Sequence, residues 1–266
     1  MISVEKQMLF LLSKADNLET QELIRIYAKR GYSAAYIRNM LSRLKKDRYV
    51  DSPSRSTYRI TDAGRAFVHS INRKPQLYGE QWDGQWHLVL TAFPEAERKR
   101  REQVRAALLQ TGFGHMYSGV YLSPWAYREE LAELFRLHEA EPYTTVFSGR
   151  LEGGPLSPEQ AVKIWALPEI AEKYEEKRRW FHDQFEPSLA EALGTNREMT
   201  DALDVFVLYL ALGEQISELY LIDPMLPFEL LPHDWIGREV LQQLTHCADQ
   251  VAAAIPRDSD YARFVR

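Results

Sequence analysis

Hydrophobic positions recur at helical spacing three times within the first 50 residues. In "VEKQMLFLLSK" Val4, Met8, Leu11 and Leu12 fall on one side, which predicts a first helix. In "QELIRIYAKR" Leu23, Ile26 and Tyr27 turn inward, and Thr20 stands where it can cap the start. In "SAAYIRNMLSRLKKDRYV", residues 33–50, Ile37, Met40, Leu41 and Leu44 form one stripe. At about 100° per residue, Arg38, Asn39, Ser42, Arg43 and Lys46 fall on the opposite side. Ser33 suits the N-cap of this third helix, and Gly31 suits the end of the second. The period then changes. "YVDSPSRSTYRIT" reads as two short β-rich pieces around a Ser/Pro/Asp turn carrying Arg55, and Thr61 caps a fourth helix, "DAGRAFVHSI". Three helices followed by a hairpin is the arrangement of a winged helix-turn-helix, whose third helix enters the major groove while the hairpin touches phosphates alongside.

Pro75, Gly79 and Gly84 break all periodicity in "RKPQLYGEQWDG", residues 73–84, which reads as a linker. A mixed region follows. "QWHLVLTAF" predicts a strand, and "PEAERKRREQVRAALLQT" a helix with acids in its first turn and Gly112 just past its end. "GHMYSGVYLSP" is strand-like, "AYREELAELFRLHE" helical and "YTTVFSGRLE" a strand. That β-α-β-α-β order predicts a small ferredoxin-like sheet with one strand unplaced. From residue 157 the pattern is helical: "SPEQ" is a capping box on Ser157, and helices are expected over 158–166, 168–193, 200–221 and 234–254. "DPMLPFELLPHDW", residues 223–235, is a proline-rich connection. The expected fold class is α+β: a winged helix-turn-helix over 1–72, a linker over 73–84, a ferredoxin-like α/β domain over 85–156 and a helical domain over 157–266.

Charge changes the picture more than composition does. The chain has 266 residues, 45% hydrophobic and 27% charged, with a net charge of −5. Residues 1–75, however, hold 15 Lys and Arg against 7 Asp and Glu, while the remainder holds 18 against 31. A basic N-terminal segment on an acidic body points to a nucleic-acid partner confined to that segment. The single cysteine, Cys247, excludes an internal disulfide framework and any multi-cysteine metal site. "MISVEKQMLF" lacks the basic flank and apolar core of a signal peptide, and the apolar run "VFVLYLALG" (205–213) is too short to span a bilayer. A cytoplasmic protein without a membrane partner is therefore expected.

A basic helix face taken alone is most often a solvated surface. Here three helices, a hairpin and regional charge agree, and the third helix becomes the expected DNA reader. Arg38, Asn39 and Ser42 lie nearest its start, after Ser33, on the outward side. Arg offers guanine a bidentate fork and Asn does the same for adenine. Arg43, Lys46 and Arg55 are the expected phosphate contacts, which fix position without reading sequence. The seven histidines (69, 87, 115, 138, 182, 233 and 246) show no metal-ligand spacing. No P-loop or GxSxG motif occurs, so no catalytic residue, metal or cofactor is expected.

Three stretches carry a family likeness: "YRITDAGRAF", "WDGQWHLVLTAFPEAERKRREQVRAALLQTGFGHMYSGVYLSP" and "DPMLPFELLPHDWIG". On these the chain resembles the PaaX-type transcriptional repressors of phenylacetate catabolism, over nearly its whole length. The resemblance implies a winged-helix domain, a central domain like the nuclease Cas2 and a helical C-terminal domain. It also implies a homodimer on a palindromic double-stranded operator, released by phenylacetyl-coenzyme A. Such a ligand needs an apolar slot and cations. Trp86, Tyr121, Trp125 and Trp165 with Arg98, Lys99, Arg100 and Arg101 are the expected effector-binding residues. Two rival functions are a metal-dependent Cas2-like nuclease and a regulator of the same fold answering to another small molecule. The nuclease needs a carboxylate at the end of the first central strand, and where many relatives read "FDIPE" this chain reads "TAFPE", with Ala92 at the aspartate position.

Overall fold

The computed structural model describes residues 4–71, 74–77, 79–152, 156–194 and 201–265. The chain packs into two compact units, each assembled from separated stretches. One comprises Met1–Asn72, Glu175–Glu218 and Arg238–Arg266, and the other Arg73–Tyr174 and Leu219–Gly237.

The first unit opens with α1 (Val4–Ser13), the short β1 (Leu18–Glu19), α2 (Thr20–Ala28) and α3 (Ala34–Lys46). Then come β2 (Val50–Ser54), β3 (Thr57–Ile60) and α4 (Asp62–Ile71). β2 and β3 form an antiparallel hairpin, and β1 joins it as a third strand in the order β1-β3-β2. The apolar stripes do what their spacing predicts: Met8, Leu11, Leu12, Leu23, Ile26, Tyr27, Ile37 and Leu41 are all buried. Ser33 Oγ accepts from Tyr36 N–H at 3.2 Å, as an N-cap should. Thr61 Oγ1 likewise accepts from Gly64 N–H at 3.1 Å. Thr20 differs from expectation. Glu19 is the N-cap residue of α2, without a side-chain bond, and the Thr20 hydroxyl instead donates to Ser56 O at 2.9 Å, tying α2 to the hairpin turn. Gly64 allows a close approach, because a Cβ there would sit 2.3 Å from Tyr49 O.

The later stretches complete this unit. α8 (Leu167–Trp180) belongs to this unit from Glu175 onward and passes through one π-helical turn, Phe181–Phe185, into α9 (Glu186–Leu193). α10 (Ala202–Ile222) and α11 (Gly237–Ala254) follow. The start expected for α10 at residue 200 lies outside the described residues. α10 has 21 residues and is long and apolar enough, by length and composition, to cross a membrane, so the nine-residue run is only its middle. In this unit it is packed: Val205, Phe206, Leu210 and Leu212 are buried. Gln7 Nε2 donates to Leu210 O at 2.8 Å, and Phe206 stacks on Tyr261 and Phe264 at 5.1 and 5.4 Å between ring centroids.

The second unit is built on β4 (Trp86–Thr91), α5 (Arg98–Thr111), β5 (Gly114–Tyr117), β6 (Val120–Ser123), α6 (Arg128–Leu137) and β7 (Thr144–Gly149). The four strands are antiparallel in the order β5-β6-β4-β7, the ferredoxin-like β-α-β-β-α-β plan. The strand missing from the sequence reading lies inside "GHMYSGVYLSP", which is a hairpin turning at Gly119 (φ 73°). α7 (Pro158–Ile164) is started by the expected Ser157–Gln160 capping box. It presses on the sheet at Gly114, where a Cβ would lie 2.4 Å from Ile164 Cγ2.

Candidate nucleic-acid interface and effector surfaces

α3 divides cleanly into two faces. Ile37, Leu41 and Leu44 are buried, while Arg38, Asn39, Ser42, Arg43 and Lys46 are exposed. Arg38, Asn39, Ser42 and Lys46 carry no protein partner among the described residues. Arg43 is different: its Nε lies 3.1 Å from Glu5 Oε1 on α1, with Asp47 at 4.0 Å. That pairing partly neutralises it. Arg55 is exposed in the hairpin turn beside Ser56, whose φ is 63°. On the strands below, Arg59 is held by Asp51 at 2.8 Å.

α3 ends in a way the sequence reading overlooked. Tyr49 N–H donates to Leu44 O at 3.0 Å and Arg48 N–H to Lys45 O at 3.1 Å, the two bonds of a Schellman motif. The residue in the left-handed position is Arg48, at φ 63°, where glycine is usual. Thr61 locks this turn, since its hydroxyl donates to Arg48 O at 2.7 Å and its N–H to Tyr49 O at 3.0 Å. An exposed arginine is thereby fixed between the third helix and the hairpin. The available signal was a helix end, "KKDRYV", that lacks a glycine.

A second overlooked group anchors the helices from behind. Arg30, with a side chain 9% exposed, donates to Gln7 Oε1 on α1 and pairs with Glu214 on α10. Its guanidinium lies 5.9 Å from the Tyr27 ring and 5.8 Å from that of Tyr32. Tyr32 stacks on Tyr36, in the first turn of α3, at 5.3 Å.

The expected effector residues all belong to the second unit. Trp86, Tyr121, Trp125 and Trp165 are each at most 7% exposed. Trp86 stacks on Trp165 at 6.2 Å, so these two do come together. Two of the indole N–H groups are engaged internally, Trp125 donating to Met225 O at 2.6 Å and Trp165 to Gly112 O at 3.1 Å. Arg98 and Lys99 are exposed at the start of α5. Arg100 lies between Glu97 and Glu139, and Arg101 between Glu95 and Glu102. At the end of β4, Ala92 contributes only its backbone, donating to Tyr143 O at 2.9 Å. Among the described residues no three His, Cys, Asp or Glu side chains converge as metal ligands.

Comparison with known proteins places this geometry. Residues 79–162 match the family profile described as "PaaX protein central Cas2-like domain", and residues 165–257 match "PaaX-like protein C-terminal domain". The chain belongs to the PaaX family. Among curated relatives, Transcriptional repressor PaaX of Escherichia coli (strain K12) is 28% identical over 239 residues, covering 84% of this chain and 71% of that one. Among solved structures, the uncharacterized protein Rv0674 from Mycobacterium tuberculosis aligns with a TM-score of 0.55 at 22% identity, over 93% of this chain and 94% of that one. This structural likeness extends the shared fold beyond the two PaaX profiles to almost the entire chain.

Proposed function

We propose that this chain is a transcriptional repressor that reads double-stranded DNA with a winged helix over residues 1–72. The observation that carries the reading is α3. Its buried stripe holds a face of free Arg38, Asn39, Ser42 and Lys46 outward, ahead of a hairpin that presents Arg55. Arg38, Asn39 and Ser42, following Ser33, take base edges in the major groove, and Lys46, Arg55 and the partly neutralised Arg43 take phosphates. Arg48 adds a further cation at the end of the helix. Membership of the PaaX family, with a curated relative named as a repressor, supports this assignment.

In this reading the protein is a cytoplasmic homodimer, because one helix contacts only a few base pairs and a two-fold pair reads two half-sites. It controls an aromatic, phenylacetate-type catabolic operon. Its effector is an aryl-acyl thioester such as phenylacetyl-coenzyme A, which must favour the state that binds DNA poorly. Ala92 argues against the nuclease alternative, since a methyl group holds no divalent cation. Selection of the purified chain against a randomised DNA pool tests the reading. Enrichment of a palindrome is expected; no enrichment over bulk DNA would overturn it. Release of the selected DNA by a different small molecule would keep the repressor and replace the effector.

A further inference from the structure

We propose that the effector binds in the first unit, in the cleft between α2 and the C-terminal segment, as an extended organic polyanion with a small apolar body. This rests on the repressor reading above. This unit contains two neighbouring cavities that share Arg263. The larger has a volume of about 930 Å3 and lies between α2 and residues 257–263. Its apolar wall is Ile24, Ala28 and Ala262, and Arg25, Arg257 and Arg263 surround it. The smaller, of about 490 Å3, shares Arg263 and adds Lys14 and Arg65. The larger volume lies at the upper end of small-molecule sites and far exceeds a monocarboxylate. A row of cations centred on the shared Arg263 suits a ligand with several anionic groups, and guanidinium forks suit phosphate oxygens. The acyl thioester of the proposed function, an apolar group on a phosphate-bearing carrier, is a ligand of this chemistry.

Carboxylates also line the two cavities, and they supply the switch. Arg263 pairs with Glu22 and Arg25 lies 3.7 Å from Asp260, so two ion pairs clamp the C-terminal segment onto α2. Glu19 lines the larger cavity and Asp16 the smaller. Arg257 has no acidic partner among the described residues and is the ligand's first hold. As the anion seats, it takes Arg263 from Glu22 and Arg25 from Asp260. No covalent bond changes; the arginines exchange partners, and the clamp loosens. α2 packs directly on α3, and the Tyr27, Tyr32 and Tyr36 rings contact in series between them at 6.0 and 5.3 Å, so a shift in α2 reaches the start of the reading helix.

Isothermal titration of the full chain with phenylacetyl-coenzyme A, free coenzyme A and phenylacetate tests this, alongside DNA selection by the ligand-free chain. The thioester should bind with one site per chain. Arg257→Glu should weaken it by about tenfold or more, Glu22→Gln should tighten it by removing the competing carboxylate, and Arg100→Glu on α5 should change nothing. Absence of thioester binding, indifference to both cleft variants, or loss at Arg100→Glu instead would each overturn the site. If the chain selects DNA and any of these occurs, the cleft assignment alone falls. If the thioester binds as described and DNA is not selected, the cleft stands and the repressor reading falls.

Discussion

Arg30 and Glu214 are 184 positions apart and form an ion pair whose side chains are 9% and 13% exposed. Burial makes this pair asymmetric in its effects: together the charges contribute little net stability, whereas one left alone is costly. Glu214→Ala should lower unfolding free energy by about 3–5 kcal/mol in urea titrations. Arg30→Met combined with Glu214→Leu should recover most of that loss. A double variant as unstable as the single one would show that the pair acts through something other than its charges.

DNA contacts should sort by position on α3 and the hairpin. Lys46→Ala or Arg55→Ala should weaken binding to every sequence and reduce the slope of log K against log salt by about one. Arg38→Ala or Asn39→Ala should cost about 1–3 kcal/mol on the selected sequence and relax preference at one position. Fluorescence anisotropy on selected and scrambled duplexes at several salt concentrations separates the two groups, and equal losses on both duplexes would move the reading face elsewhere.

The turn after α3 predicts opposite effects at two residues. Arg48→Gly relieves a side chain in left-handed backbone and should raise stability by about 1 kcal/mol. Thr61→Ala removes both the N-cap acceptor of α4 and the donor to Arg48 O, and should lower it by about 1–2 kcal/mol. Thermal unfolding of the two variants beside the parent checks both signs.

In the second unit, Lys74 is buried and its ammonium donates to Leu221 O at 3.2 Å and Asp223 O at 2.9 Å. Burial lowers its pKa to about 8 from 10.5. The same burial pushes the Asp223 carboxyl upward, although Tyr174 Oη donates to it at 2.6 Å and Met225 N–H donates as well. Below pH 8 the folded state carries the full cost of a buried ammonium. Between about 8 and 10.5 the folded chain releases this proton while the unfolded chain keeps it, so this site's contribution to stability rises with pH. Relative to a Lys74→Met variant, the parent should gain about 3 kcal/mol across that window. A gap that stays constant, or widens against the parent, would contradict it.

Much of this architecture was legible because burial imposes periods. The stripes of α1, α2 and α3 and the caps at Ser33, Thr61 and Ser157 were read from neighbours within four residues. The β5–β6 hairpin was not, because apolar residues flank Ser118 and Gly119 on both sides and the pair resembles a break within one strand. A π turn at 181–185 inserts a residue without disturbing the apolar pattern. α10 is apolar nearly all round, so its pattern names no partner. The outward face of α3 followed from periodicity, since the exposed side of a half-buried helix is fixed by its buried side. Arg30 could not be assigned that way: its role depends on Glu214, which no local pattern brings near. The cleft beside α2 is invisible for the same reason, being closed by Arg263 and Asp260 from the far end of the chain.

That closure from the far end has a consequence for how the protein is born. Chains emerge from the ribosome N-terminus first, at roughly 5–20 residues per second. α1 and α2 are therefore synthesised well before the helix that accepts from Gln7 and pairs with Arg30, and before the rings of Tyr261 and Phe264 that seat on Phe206. A nascent chain halted anywhere before α10 holds α3 on α1, α2 and β2, but leaves Arg30 without Glu214 and Gln7 without Leu210 O. The N-terminal helices thus acquire their full set of partners only when translation is nearly finished, and on the repressor reading proposed above a chain terminated before α10 should bind DNA more weakly than the full chain.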